Sequence, residues 1–306
     1  MILFWVLIIC FAMGMLGISG TLLVGVIAIS YIATHPRRER TAQTPEIFGA
    51  RFEDVEFVAR DGVTLSSWFV PANVTNPLGV LILCHGMNSQ REAMLDWAEA
   101  LWKQGFALLM FDFRGTGESE GKYCSGGYYE RADLHGATDY LCTRTDTANL
   151  PIGVLGFSMG GATAILTASE NPSLRAVAVH GAYATMDRAM LQRCRRHFKW
   201  LARPAKFAML LTGKMTGWFR VPPSSIAPVE VVSLIAPRPL LILHGEEDPI
   251  VHWRDAHDLC VAAGSSAEYH PLPGSGHRNI APEILTSVQE QVGEFFRKSL
   301  APSANS

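Results

Sequence analysis

An apolar run, Ile152 to Leu155, ends in Gly156-Phe157-Ser158-Met159-Gly160 and opens at once onto Gly161-Ala-Thr-Ala-Ile-Leu-Thr-Ala, a favourable start for a helix. Only a strand, a sharp turn and a helix in immediate succession accommodate this pattern. Such a turn pushes the Ser158 hydroxyl out of the backbone. The flanking glycines are needed because a larger side chain would collide with the neighbouring strand and helix. The arrangement reads as a nucleophile elbow. A glycine-rich turn that merely packs a helix on a sheet would use the same residues, so the rest of the chain has to decide between the two.

A nucleophilic serine needs a base to take its proton and a carboxylate to orient that base. Downstream, Pro239-Leu-Leu-Ile-Leu-His-Gly245 reads as a short strand, and Glu246-Glu247-Asp248-Pro249 follows it. Asp248 is the candidate orienter, with Glu246 and Glu247 as spare carboxylates beside it. Glu268 to Leu272 reads as a last strand, and Gly274-Ser-Gly-His277 follows on a loop before a helix from Ile284 to Leu300. His277 is the candidate base. The order Ser, Asp, His, each beyond the carboxyl end of an expected strand, distinguishes one class of serine hydrolase from the others. An oxyanion would also need two convergent backbone N–H groups. Val80 to Cys84 is a buried-strand pattern running into His85-Gly86-Met87-Asn88, so the amides of Met87 and Met159 are the candidate donors. His85 reads as a histidine that orders this loop and not as a proton carrier.

Together His85-Gly86, Asp112-Phe-Arg-Gly-Thr-Gly-Glu-Ser-Glu-Gly121, the elbow, His244-Gly-Glu-Glu-Asp248 and Gly274-Ser-Gly-His277 resemble the α/β-hydrolases of the serine aminopeptidase S33, monoacylglycerol-lipase-like and membrane-anchored esterase group. The resemblance covers roughly residues 52 to 300. It implies an α/β-hydrolase fold and a structural role for the loop carrying Asp112, Arg114 and Glu118. The chain departs from the lipase type of oxyanion loop, with His-Gly-Met in place of a glycine run.

The pattern itself supports an α/β class. Phe52 to Val58 and Thr64 to Val70 alternate as a hairpin joined at Asp61-Gly62. Strand-like and helix-like segments then succeed one another: Val80 to Cys84, Arg91 to Gln104, Ala107 to Asp112, Tyr128 to Thr143, Ile152 to Leu155, Gly161 to Glu170 and Ala176 to His180. Such alternation predicts a mostly parallel sheet with helices on both faces and catalytic groups at the carboxyl edge of the strands. Residues 184–234 interrupt it and are expected to form a helical cap insertion between core segments 51–183 and 235–300, with 301–306 as a tail. Pro204, Gly213 and Gly217 leave the helical periodicity there broken. From Arg188 to Arg220 the insertion carries nine Lys and Arg residues and no Asp or Glu, interleaved with Met, Phe, Trp and Leu. A segment of this kind suits an anionic membrane surface or the cover of an apolar pocket, and equally an ordinary solvated helical face.

Met1 to Thr34 contains no charged side chain and is longer than the roughly 20 residues that span a bilayer, so residues 1–34 are expected to be a transmembrane anchor. A cleaved signal peptide fits less well, since no Lys or Arg precedes the run and its length exceeds a signal core. The basic cluster His35-Pro-Arg-Arg-Glu-Arg40, within a linker spanning 35–50, predicts a catalytic domain on the cytoplasmic side. With a net charge of −2 the chain has no overall attraction to nucleic acid. Six scattered cysteines show no metal-ligand spacing. The expectation is therefore a membrane-anchored serine hydrolase of lipophilic carboxylic esters with Ser158, His277 and Asp248 as its triad and no metal or organic cofactor. Its partners are a small-molecule or lipid ester and the membrane. Amides, peptides, thioesters and acyl transfer use the same machinery, and a membrane-attached binding module without turnover is the alternative outside enzymes.

Overall fold

The computed structural model describes residues 13, 17, 20, 21, 23–32, 34–36, 38, 41–217 and 220–301. Its single sheet comprises β1 (Glu53–Val58), β2 (Thr64–Val70), β3 (Val80–Cys84), β4 (Ala107–Phe111), β5 (Ile152–Phe157), β6 (Leu174–His180), β7 (Leu240–Gly245) and β8 (Ala267–Leu272). The longer helices are α1 (Leu95–Lys103), α2 (Glu130–Thr143), α3 (Met159–Glu170), α4 (Met186–Phe198), α5 (Ala202–Thr216), α6 (Trp253–Ala263) and α7 (Pro282–Leu300). The strands lie in the order β1-β2-β4-β3-β5-β6-β7-β8. β1–β2 and β2–β4 pair antiparallel, and all the other pairs are parallel.

Two apolar layers explain why the parallel strands read as continuous hydrophobic runs. In β3, Val80, Ile82 and Cys84 enter one core while Leu81 and Leu83 enter the other, and all five are fully buried. Leu134 of α2, Ile165 of α3 and Leu259 of α6 fill the first layer; Leu101 of α1 and Val292 and Phe296 of α7 fill the second. Each such side chain contributes roughly 1.5–3 kcal/mol by leaving water. α6 had no counterpart in the expected alternation. Its start is capped by His252, whose Nδ1 accepts the Arg254 amide at 3.2 Å, and Ala256, Leu259 and Ala263 form its buried stripe.

Between β6 and β7 the chain leaves the sheet to form α4 and α5. Pro204 is tolerated because it occupies the third position of α5, where no intrahelical acceptor awaits an N–H. Gly217, at φ 70°, ends that helix in the left-handed conformation. These two residues mark the helix ends and leave its body intact, with Gly213 buried inside it. Cys194 Sγ meets Met209 Sδ at 3.4 Å where α4 and α5 pack together.

The expected anchor over residues 1–34 falls largely outside the described residues, and among the described residues no helix is long and apolar enough to cross a membrane. Residues 23–32 are helical. Val26, Ser30 and Thr34 form a buried stripe along this N-terminal segment; the Thr34 carbonyl accepts the Cys124 amide at 2.9 Å, and Gly25 lies against the Phe198 ring. Leu23, Val24, Ile27 and Ile32 remain exposed.

Two buried arginines hold the loop from Asp112 to Gly121. Asp112 Oδ1 accepts the Arg91 amide at 2.7 Å, and its Oδ2 accepts Arg91 Nη1 and the Glu118 amide, each at 3.0 Å. Arg114 forks between Asp61 and Asp133. Asp112, Arg114 and Glu118 are thus structural, as the sequence suggests. Removing the Asp112 carboxylate leaves a guanidinium that is 3% exposed with only the largely exposed Glu118 as a carboxylate partner. Asp112→Ala is therefore expected to cost about 3–5 kcal/mol in urea denaturation, and an unshifted midpoint would contradict that role.

Candidate active site

At Ser158 the backbone adopts φ 53° and ψ −114°, a conformation that costs a non-glycine residue roughly 1–3 kcal/mol. Its amide donates to the His180 carbonyl at 2.8 Å, tying the turn to β6. A Cβ on Gly156 would stand 2.4 Å from the Gly160 carbonyl oxygen, and one on Gly160 would stand 2.3 Å from that of Cys84. Both positions therefore have to be glycine for α3 to leave β5 at this angle.

Sheet order does the rest. β5, β6, β7 and β8 are consecutive parallel neighbours, and the register sets Phe157 beside His180, His180 beside Leu243 and Leu243 beside His270. The loops leaving β5, β7 and β8 consequently emerge on one edge, and they bring Ser158, Asp248 and His277 into contact. His277 Nε2 accepts the Ser158 hydroxyl at 2.9 Å, while its Nδ1–H donates to Asp248 Oδ2 at 2.6 Å. Asp248 Oδ1 accepts the amides of Ile250 at 2.7 Å and Val251 at 2.9 Å. Burial acts to raise this carboxyl, but the His277 hydrogen bond and charge together with those two amides outweigh it and hold Asp248 below the usual carboxylate range. Glu246 and Glu247 are exposed and make no bond to His277.

Met87 and Met159, whose amides are the candidate oxyanion donors, both lie at this edge. The Met159 amide is the first of α3 and has no acceptor within the helix; the Met87 amide has no backbone acceptor. Both residues line the same pocket as Ser158. His85 orders the loop beneath them: its Nδ1 donates to the Gly86 carbonyl at 2.8 Å, and its Nε2 accepts the Phe113 amide at 3.0 Å. Burial keeps its imidazole below the ordinary value, consistent with that neutral tautomer.

Two more histidines flank the relay. His244 Nε2–H donates to the Val251 carbonyl at 3.0 Å and lies 3.6 Å from Asp248 Oδ2. Burial, then the His277 and His244 charges, push His180 down to about 3, and burial holds His244 below the ordinary imidazole range. Both shifts disfavour an imidazolium at these two positions. His180 was legible as the last residue of the strand beside the elbow, a position with direct access to this edge.

The relay lies in a pocket of about 330 Å³, within the roughly 300–1,000 Å³ usual for small-molecule sites. Its walls are mostly apolar: Met87, Tyr123, Tyr183, Met186, Met190 and Met209, the last three from the insertion. The sequence pointed to Met87 through its amide and to the insertion as a cover for an apolar pocket, but which side chains meet becomes visible only in the packing over this edge. Among the described residues no group of three His, Cys, Asp or Glu is placed to hold a metal ion. The arrangement is chemically able to activate a hydroxyl, attack a carbonyl and receive the resulting oxyanion.

Residues 75–228, half of the chain, match the family described as serine aminopeptidase, S33. The uncharacterized protein YfhR of Escherichia coli (strain K12) is 24% identical over 256 residues, 82% of each chain. The thiohydrolase aneE of Aspergillus aculeatus is 32% identical over 129 residues, 41% of this chain and 40% of its own. Among solved structures, the Pyrococcus furiosus esterase Pf2001 superposes with a TM-score of 0.73 at 24% identity, covering 88% of this chain and 99% of that one. That likeness shows a shared α/β-hydrolase fold.

Since folding lowers the Asp248 pKa, the carboxylate contributes stability above its unfolded value of about 3.9, and that contribution is lost as pH falls through the lower folded value. Wild type is expected to exceed Asp248→Asn in urea stability at pH 7, with the gap closing at acid pH. A gap independent of pH would contradict the assignment.

Proposed function

The chain belongs to the serine aminopeptidase S33 family, and from that membership and the geometry of the site we propose that it is a serine hydrolase cleaving carboxylic esters of lipophilic acyl groups. The observation that carries the reading is the continuous hydrogen-bond relay from Asp248 through His277 to Ser158 at the base of an apolar pocket. In this reading Ser158 Oγ attacks the ester carbonyl as His277 Nε2 takes its proton, and Asp248 holds the imidazole and stabilises its charged form. The Met87 and Met159 amides receive the oxyanion. His277 then protonates the departing alcohol, leaving an acyl group on Ser158. Water, deprotonated by His277, attacks that acyl-enzyme and releases the carboxylic acid. Side chains, backbone amides and water complete the reaction.

The pocket chemistry favours an ester over a peptide with a free amino terminus. A terminal ammonium requires a carboxylate or carbonyl cluster, and the residues around the pocket include four arginines and no Asp or Glu. Thioesters fit the same carbonyl chemistry, and the Aspergillus relative bears the name thiohydrolase. A binding module without turnover would have no use for a strained serine aligned on a buried His–Asp pair.

The same reading has residues 1–34 anchoring the protein in a membrane with the hydrolase domain on the cytoplasmic side. Support comes from the uncharged N-terminus, the basic residues that follow it, and the exposed Leu23 and Val24. Since Val26, Ser30 and Thr34 are buried against the domain, the spanning part falls before Val26, where the chain still exceeds the roughly 20 residues required.

Purified full-length protein is expected to hydrolyse 4-nitrophenyl acyl esters, with Ser158→Ala lowering kcat by at least about 10⁴-fold. Glu247→Gln, at an exposed position outside the relay, is expected to retain wild-type turnover. Full activity in Ser158→Ala would sink the proposal.

A further inference from the structure

Charge in the pocket is distributed in a way that ester hydrolysis alone does not require. Arg193, Arg196, Arg220 and Arg278 line it, and no Asp or Glu does. None of the four forms an ion pair among the described residues; Arg220 instead lies over the Tyr123 ring at 4.5 Å. Elsewhere on the insertion Arg195, Lys199, Arg203 and Lys214 are exposed to solvent and need no partner, and the two remaining cations are paired. Arg188 pairs with Asp258, and Lys206 pairs with Asp187. Burial, and then the neighbouring Arg196 charge, hold the Arg193 guanidinium below its ordinary pKa. An unpaired, half-buried guanidinium one helical turn from a second, exposed one is costly unless an anion joins them.

The placement of these groups along α4 is ordered. Its pocket side runs Met186, Ala189, Met190, Arg193, Arg196 and His197, a single stripe at helical spacing. Met186 marks the end nearer the reacting carbonyl: its Cε lies 2.1 Å from where a Cβ on Gly126 would stand, and Met87 Cε, on the candidate oxyanion loop, is 3.4 Å from that point. From Met186 to Arg193 the helix rises roughly 10 Å. The stripe is thus apolar beside the relay and cationic beyond it.

We infer that the pocket is built for an anionic amphiphile: an acyl ester whose apolar chain lies on Met186, Met190 and Met209 and whose phosphate or carboxylate group binds Arg193 and Arg196. This rests on the hydrolase reading above and specifies its substrate class. A bidentate guanidinium contact to either anion supplies the specificity, and Arg193, being partly desolvated, supplies most of it.

Two matched substrate pairs test the inference and separate the two anions. One compares the mono-4-nitrophenyl ester of sebacic acid with 4-nitrophenyl decanoate, so that a carboxylate ends the acyl chain. The other compares 1-lauroyl lysophosphatidate with 1-lauroylglycerol, so that a phosphate sits on the leaving group. In at least one pair kcat/KM is expected to favour the anionic member by about tenfold or more. Arg193→Met and Arg196→Met should each reduce that ratio toward one. Arg195→Met, an exposed cation of α4 outside this pocket, should leave the ratio unchanged. A ratio near one in both pairs, or one that the Arg193 and Arg196 variants do not move, overturns the inference while leaving the hydrolase reading standing. If folded protein cleaves none of the four esters, the hydrolase reading fails instead. Calorimetric titration of Ser158→Ala with dodecyl phosphate against uncharged dodecyl maltoside then decides the anion site: tighter phosphate binding that Arg193→Met abolishes upholds it, and equal binding overturns it.

Discussion

Helix α3 can leave strand β5 through the turn at Ser158 only because backbone approaches backbone there without an intervening Cβ. The gaps at Gly156 and Gly160, where an added carbon would lie 2.4 Å and 2.3 Å from carbonyl oxygens, lock α3 against β5 and the end of β3. That contact fixes three things at once. It forces Ser158 into a positive-φ conformation that projects its hydroxyl, leaves the Met159 amide free at a helix N-terminus, and presses this corner against the loop carrying Met87. The remaining elements act through this corner. Strand order brings the loops after β7 and β8 to it, and the insertion roofs it with methionines and arginines.

Much of this was legible in the sequence, and for identifiable reasons. The buried parallel strands announce themselves as apolar runs, since both faces are covered, and the loops that follow them carry residues that packing does not explain. Ser158, Asp248 and His277 were each readable as polar residues beyond the carboxyl end of an expected strand, and the contacts of Asp248 separate it from Glu246 and Glu247. The hairpin of β1 and β2 followed from alternation and Asp61-Gly62. What local pattern could not give is the fit of non-neighbours. Helix α6 was missed because its buried stripe of Ala256, Leu259 and Ala263 is short and two of its three members are alanine. In α5, Pro204 and Gly217 looked like interruptions, whereas they sit at positions where a first-turn proline and a left-handed cap are allowed. The buried pair His180 and His244 and the methionine wall exist only once distant elements meet.

Charge is managed in two opposite ways in the molecule. Beneath the active-site edge, Arg91 and Arg114 are buried with carboxylates already in place, and they make a rigid frame for the loop they hold. Within the pocket the arginines have no such partners, and the buried flank of the N-terminal segment, ending at Thr34, closes in beside them. The described part of the N-terminal segment thus docks one face beside the pocket and leaves the other apolar and exposed.

All of this depends on Ser158 being an activated nucleophile, and covalent trapping tests that point without knowledge of the substrate. Full-length protein in neutral detergent, treated with a fluorophosphonate and mapped by mass spectrometry, should carry one adduct, on Ser158, and His277→Ala should abolish it. Absence of an adduct from folded protein, or an adduct on another residue, would contradict the account.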